Sequence, residues 1–189
     1  MSDYTLKPID LAADDEGRYA YVFFHDGKII ATDKCILVIQ NAKLYGFSED
    51  QIEALHGKMI AAHDFTYMRK LNPKFIQIAM IDDVLHLSNN GQTVEHVRYL
   101  DAMHNRPPYK TQLEKYFGIW EKTERIGIHS ELIEIAAQIT FAETPAFEYH
   151  FCGDEKPIFL RGEKMSWEDE MIIVMPWKIS NNLNDDTES

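Results

Sequence analysis

Alternating apolar and polar positions dominate the first part of the chain and predict antiparallel strands. Residues 19–24 are aromatic or β-branched apart from Ala20, and His25-Asp26-Gly27 has the composition of a hairpin turn. Residues 28–40 continue the apolar pattern and are expected to run on as strand. The pattern therefore indicates a β-meander.

Two stretches with a helical period of three to four residues follow this meander. The first begins at Ser48, which we expect to cap a short helix together with Gln51 at the capping-box position. The second covers residues 63–71, after a short strand at 58–60. Three alternating segments come next and predict a second antiparallel meander. They cover residues 75–80, 84–87 and 93–100.

The order strand, helix, three strands recurs near the C-terminal end. A strand is expected at residues 125–128 and a helix at 130–139. The three following strands are expected at residues 147–151, 157–161 and 171–175. A helix on three strands leaves open sheet edges, so such units gain stability by joining. We predict an α+β fold with one continuous antiparallel sheet and helices on one face.

Four segments are expected along the chain. Residues 1–109 form a first part that holds the meander and one helix–meander unit, and residues 125–179 form a C-terminal unit. Residues 110–124 read as a polar connector, in which 113–120 have a helical pattern. The polar, acidic stretch 180–189 is expected to be a disordered tail.

The net charge of −12 removes any global electrostatic attraction to nucleic acid, so DNA contact would need a local basic face. Cys35 and Cys152 have neither the density of a disulfide scaffold nor the spacing of a zinc site. The sequence lacks a stretch of about 20 apolar residues, which a membrane span requires. We therefore expect a cytoplasmic protein with no membrane association.

Three pairings of an acid with a histidine invite a catalytic interpretation. These neighbourhoods are His25-Asp26, His63-Asp64, and Asp82-Asp83 with His86. None of them has the spacing of a known catalytic motif. Aspartate is expected at hairpin turns and in first helical turns for local reasons. We expect no catalysis, no cofactor and no metal, with a small metal-dependent hydrolase as the alternative.

Several segments resemble the bacterial DNA polymerase III beta subunit, the beta sliding clamp. Residues 31–37, Ala-Thr-Asp-Lys-Cys-Ile-Leu, are similar to an Ala-Thr-Asp-Gly-His-Arg-Leu motif of that family. Residues 175–179, Met-Pro-Trp-Lys-Ile, resemble its Met-Pro-Met-Arg-Leu ending, and residues 106–109 resemble a Phe-Pro-Asp-Tyr-like turn. The resemblance implies a DNA-clamp-like fold in a shortened and divergent form.

In that family these motifs form an apolar pocket that captures short linear peptides of replication and repair proteins. The residues that the resemblance assigns to such a pocket are Thr32, Leu37, Val174, Met175, Pro176, Trp177, Lys178 and Ile179. Methionine and tryptophan offer adaptable apolar surface for a peptide. Lys34, Cys35 and Ile36 depart from the family pattern, which changes the polar contacts at the pocket floor.

The resemblance also implies helices that face duplex DNA inside an oligomeric ring. Arg69, Lys70 and Lys74 fit that role, although basic residues at a helix C-terminus also stabilise the helix dipole. The helix at 130–139 instead carries Glu131 and Glu134, which would repel phosphate. The expected function is peptide binding in replication or mobile-element maintenance, with DNA encirclement by a homo-oligomer possible. The alternative is a protein-interaction module that keeps the clamp fold without DNA.

Overall fold

The computed structural model describes residues 4–102, 107–123 and 126–176. Its strands are β1 Tyr21–His25, β2 Lys28–Thr32, β3 Ile36–Asn41, β4 Lys58–Ala61, β5 Gln77–Ile81, β6 Val84–Asn89, β7 Gln92–Arg98, β8 Leu100–Asp101, β9 Phe147–Phe151, β10 Ile158–Gly162 and β11 Glu170–Val174. The α-helices are α1 Glu49–Leu55, α2 Ala62–Leu71, α3 Tyr109–Tyr116 and α4 Ser130–Ile139. Short 3-10 turns lie at Ile9–Ala12, Gly17–Tyr19, Ala42–Tyr45 and Asn72–Lys74.

One large antiparallel sheet joins strands from both ends of the chain. Its order is β8-β4-β1-β2-β3-β11-β10-β9, and β3 pairs with β11 from Ile36 opposite Val174 to Gln40 opposite Glu170. Strands β5, β6 and β7 form a second, three-stranded sheet. The predicted continuous sheet thus holds for eight of the eleven strands in the described residues.

Both faces of the large sheet are buried, because neighbouring strand residues point to opposite sides. Val22 and Phe24 pack in one core with residues of α1, α2 and α4. Phe23 packs in a second core with Tyr109 of α3. The prediction of helices on one face is therefore correct for three helices, and α3 covers the other face.

None of the described helices combines the length and apolar character needed to cross a membrane.

The predicted α+β class is confirmed, as are several local elements. Ser48 caps α1 and forms a full capping box with Gln51, and α4 spans the predicted residues 130–139. Two strand predictions are wrong. Residues 28–40 form two strands because a turn interrupts them at 33–35. In 125–128, residue 125 lies outside the described residues, and the other three hold only an isolated bridge at Gly127.

A buried polar network fastens α4 to the junction of β3 and β11. The Glu170 carboxyl group accepts hydrogen bonds from Gln40 Nε2 at 2.6 Å, Thr140 Oγ1 at 2.5 Å and the Phe141 backbone N–H at 2.8 Å. Glu170 has no solvent exposure. A Cβ at Gly162 would lie 2.9 Å from Glu170 Oε1 and 2.7 Å from Thr140 Oγ1, so this position needs glycine.

Candidate functional site

A tight turn between β2 and β3 builds one wall of the candidate site. The Asp33 carboxylate accepts hydrogen bonds from the backbone N–H groups of Cys35, at 2.7 Å, and Ile36, at 2.8 Å. Lys34 has a φ of 82°, in the left-handed region. Aspartate commonly stabilises such turns by bonding the backbone two residues on. The turn therefore sets the position of the Lys34 and Cys35 side chains.

The chain after β11 runs beside this turn. The Met175 backbone N–H donates a hydrogen bond to the Cys35 carbonyl oxygen at 2.9 Å, just beyond the last strand pair of Ile36 and Val174. The Met175 side chain is 43% exposed. The Thr-Asp segment and the Met-Pro segment, which are distant in sequence, are consequently neighbours in the fold.

A cleft of about 340 Å³ opens between this pair of segments and α3. Its lining is mainly apolar and comes from the turn, the sheet and the helix. The lining residues include Thr32, Leu37, Phe159, Ile173, Met175, Pro107, Tyr109, Gln112 and Tyr116. Phe159 and Ile173 are almost fully buried and form its floor. This size and composition are typical of small-ligand or peptide anchor pockets.

Helix α3 is held against the sheet by two polar contacts at its first turn. Tyr109 Oη lies 2.8 Å from Nδ1 of His25, a residue only 5% exposed. The Lys110 ammonium contacts the Asp26 carboxylate in the β1–β2 turn. The hydrogen bond from Lys110 lowers the pKa of Asp26 below its ordinary value. These contacts fix the wall of the cleft that α3 provides.

Few charged groups lie at the cleft. Lys34 and Glu155 contribute one charge of each sign, and both are exposed. Partial burial, with the nearby Asp33 carboxylate, raises the pKa of the Cys35 thiol above its ordinary value. Because the thiolate is the nucleophilic form, Cys35 is poorly suited to covalent chemistry at neutral pH. The lining of the cleft therefore favours apolar ligand groups over charged ones.

The solved structures that resemble this chain include bacterial DNA polymerase sliding clamps. The DNA polymerase sliding clamp of Bacillus subtilis superposes with a TM-score of 0.64 at 11% identity, over 93% of this chain and 61% of that chain. The chain has the fold of a bacterial sliding clamp. The sliding clamp of Bartonella birtlesii bound to griselimycin superposes with a TM-score of 0.63 at 14% identity, over 94% of this chain and 63% of its own.

The Helicobacter pylori beta clamp bound to a DNA ligase peptide superposes with a TM-score of 0.54 at 9% identity, over 92% of this chain and 63% of that chain. This chain thus spans about three fifths of the length of the sliding clamps it matches. Neither a protein-family model nor a curated protein sequence matches it. The likeness to sliding clamps is therefore one of fold.

The clamp-like fold brings together three of the residues assigned to the pocket by sequence. Thr32, Leu37 and Met175 line the cleft. Val174 is fully buried and packs in the core on the opposite side of the sheet, with α4. Pro176 is half-buried and is not among the lining residues. Trp177, Lys178 and Ile179 lie outside the described residues, as does the tail 180–189.

The cleft also contains residues that the sequence comparison did not select. Ile173 and Met175 are two positions apart, so they point to the same side of the extended chain, and Val174 points to the other. Tyr109, Gln112 and Tyr116 fall at helical spacing on one side of α3. Applying these two periods to the sequence would have found four of these residues and excluded Val174.

The residues predicted to face DNA are one paired arginine and two exposed lysines. Both Arg69 Nε and Nη2 donate hydrogen bonds to the Asp10 carboxylate, at 3.2 and 3.1 Å, so its charge is compensated. Lys70 and Lys74 are exposed. The helices on the same side of the sheet also present acids. They are Glu49, Asp50 and Glu53 of α1 and Glu131 and Glu134 of α4.

Replacing Tyr109 with phenylalanine is expected to loosen α3 without emptying the cleft. The change removes the hydrogen bond with His25 and should lower the free energy of unfolding by about 1 kcal/mol. Hydrogen exchange of the α3 backbone amides should become faster, which mass spectrometry can measure. Tyr149→Phe, at the distant edge strand β9, is the matched control and should leave α3 exchange unchanged. Equal exchange rates in both variants would contradict the role of Tyr109.

Proposed function

We propose that this chain is a non-enzymatic, clamp-like protein that captures short linear peptides in the cleft between α3 and the β3–β11 strand pair. The observation that carries the proposal is the meeting of the Thr32–Leu37 segment, Met175 and Tyr109 around one apolar space. A peptide side chain placed there would lose contact with water on several sides. Burial of one leucine-sized side chain contributes about 1.5 to 3 kcal/mol.

The residues that line the cleft favour a peptide over a compact polar metabolite as its ligand. Aromatic and aliphatic groups form the floor and the α3 wall, while Lys34 and Glu155 lie at its margin. Such a site binds apolar anchors and leaves the polar backbone of the ligand near solvent. Two similar structures support this choice, since one sliding clamp is bound to griselimycin and another to a DNA ligase peptide.

Calorimetric titration tests the proposal directly. The full chain is titrated with griselimycin and, separately, with the DNA ligase peptide bound by the Helicobacter pylori clamp. We expect one binding site per chain with a Kd of about 10 µM for at least one of them, because two apolar anchors suffice for such an affinity after the entropic cost of association. Absence of binding by both ligands at millimolar concentration would contradict the proposal.

A role without DNA is the form of this function that the charges favour. Duplex DNA held by a clamp is bound through phosphate contacts, which require uncompensated Lys and Arg side chains. Here Arg69 is paired with Asp10, and the exposed acids of α1 and α4 lie on the same side of the sheet as Lys70. We therefore favour a protein-interaction module over a DNA-encircling oligomer.

Duplex DNA is accordingly expected not to bind at an ionic strength of about 0.15 M. Fluorescence anisotropy of a labelled duplex, with light scattering for the mass of the protein, checks this expectation. The double variant Lys70→Glu, Lys74→Glu serves as the control. DNA binding by the native chain that this variant loses would overturn the proposal and favour the ring.

A further inference from the structure

A group of three metal-ligating side chains lies at the end of the sheet, next to the first turn of α3. His25 ends β1, Asp26 occupies the following turn, and His56 follows the last residue of α1. Each can offer one ligand atom, and the three atoms lie within 4.8 Å of one another. Asp26 and His56 are distant in sequence, so only folding creates the group. We propose that His25, Asp26 and His56 bind a divalent transition-metal ion of the zinc type.

The spacing of the donor atoms suits a small tetrahedral ion. Asp26 Oδ2 lies 3.4 Å from His25 Nδ1, and Asp26 Oδ1 lies 3.5 Å from His56 Nδ1. Metal–ligand bonds of about 2.0 to 2.1 Å in a tetrahedron place neighbouring ligand atoms about 3.4 Å apart. The two imidazole rings are 4.9 Å apart between centroids, which keeps both histidines within reach of one ion.

The donor set selects the class of ion. Two imidazole nitrogens and one carboxylate oxygen are ligands that Zn²⁺, Co²⁺, Ni²⁺ and Cu²⁺ accept, whereas Mg²⁺ and Ca²⁺ prefer oxygen ligands alone. Three protein ligands leave one coordination position for water or another donor. Backbone geometry helps to fix the centre, since Asp26 has a φ of 49° in a tight turn. The Asp26 backbone N–H donates a hydrogen bond to His56 Nδ1 at 3.2 Å, which brings the two segments together in the free protein, and an ion bound at this nitrogen would replace that hydrogen bond.

Lys110 is the competitor for this position. Its ammonium contacts Asp26 Oδ2, so the group already attracts one cationic side chain. The Lys110 side chain is 56% exposed and can turn toward solvent when an ion binds. Tyr109 Oη, 2.8 Å from His25 Nδ1, would likewise have to move or to become a ligand. Metal binding is thus expected to be an exchange of one cation for another.

Cobalt titration of the full chain, without a histidine tag, tests the proposal. We expect one Co²⁺ per chain by equilibrium dialysis, visible absorption bands of a four-coordinate site, and displacement by Zn²⁺. His56→Ala should weaken Co²⁺ binding at least about tenfold, because even the loss of a group that only supports a ligand costs about that much. Lys110→Gln should strengthen binding, because it removes the competing ammonium.

His63→Ala is the matched control. His63 pairs with Asp64 at 3.1 Å and is highly exposed, but it belongs to no three-member group in the described residues. Its loss should leave Co²⁺ binding unchanged. The proposal is overturned if the native chain binds no Co²⁺ at millimolar concentration, or if His56→Ala binds it as the native chain does. It is also overturned if Lys110→Gln weakens binding. None of these outcomes depends on peptide binding in the cleft.

Discussion

Glu170→Ala is expected to lower the free energy of unfolding by about 4 kcal/mol, because it leaves several buried donors without an acceptor. The Glu170 carboxyl group accepts hydrogen bonds from Gln40, Thr140 and the Phe141 backbone. Gln40 also donates to the Ile139 carbonyl oxygen and accepts a hydrogen bond from Tyr45 Oη. The effect therefore spreads to both sides of the β3–β11 junction. Urea denaturation followed by circular dichroism measures it.

Two further variants make this result interpretable. Thr140→Val removes one donor while Glu170 keeps two others, and it should cost about 1.5 kcal/mol. Glu163→Ala removes an exposed carboxylate that accepts a hydrogen bond from the Thr144 hydroxyl, and its effect should stay within about 0.5 kcal/mol. The network has little energetic importance if Glu170→Ala and Glu163→Ala unfold at the same urea concentration.

Met175→Asp is expected to weaken peptide binding in the cleft about 100-fold, which corresponds to about 2.7 kcal/mol. The apolar side chain of a bound peptide would cover the new carboxylate and remove its water, which costs binding free energy. Met175 is 43% exposed in the free protein, so the substitution should leave the stability of the fold almost unchanged. Calorimetric titration with griselimycin, together with urea denaturation, separates the two effects.

The matched substitution is Ile81→Asp. Ile81 is 51% exposed and ends β5 in the three-stranded sheet, away from the cleft. The Ile81→Asp variant should bind griselimycin as the native chain does. The Met175→Leu variant should bind it with a Kd within about threefold of the native value, since leucine and methionine are similar in volume. Equal weakening by Ile81→Asp and Met175→Asp would show that the cleft is not the binding site.

Local pattern was enough to predict much of the fold. The capping box at Ser48 and the apolar spacing of α4 depend on neighbours within one or two helical turns, and both formed as predicted. The turn at Asp33 was missed because one strand was assigned through Thr32-Asp33-Lys34, where three polar residues interrupt the apolar pattern. Its signal is an aspartate that bonds the backbone of Cys35 and Ile36, which composition alone does not reveal.

Non-local contacts account for most of what the sequence could not predict. The pairing of β3 with β11 and the packing of α3 on the second face depend on surfaces far apart in the chain. Arg69 of α2 was predicted to face DNA, but it is paired with Asp10, which lies 59 positions earlier in a segment without a regular pattern. The sequence did not predict the group of His25, Asp26 and His56, because His56 is distant from the other two residues along the chain.

The pairing of β3 with β11 also has a consequence for the order of folding. Strand β2 can pair with β1 and with β3 as soon as the three strands leave the ribosome, because they are neighbours along the chain. β11 must find β3 across more than half of the polypeptide, and contacts of such high sequence separation form slowly. Nascent chains that stop before Met171 would display one bare edge of β3, which favours aggregation. Competence to hold a ligand would therefore appear only at the end of folding.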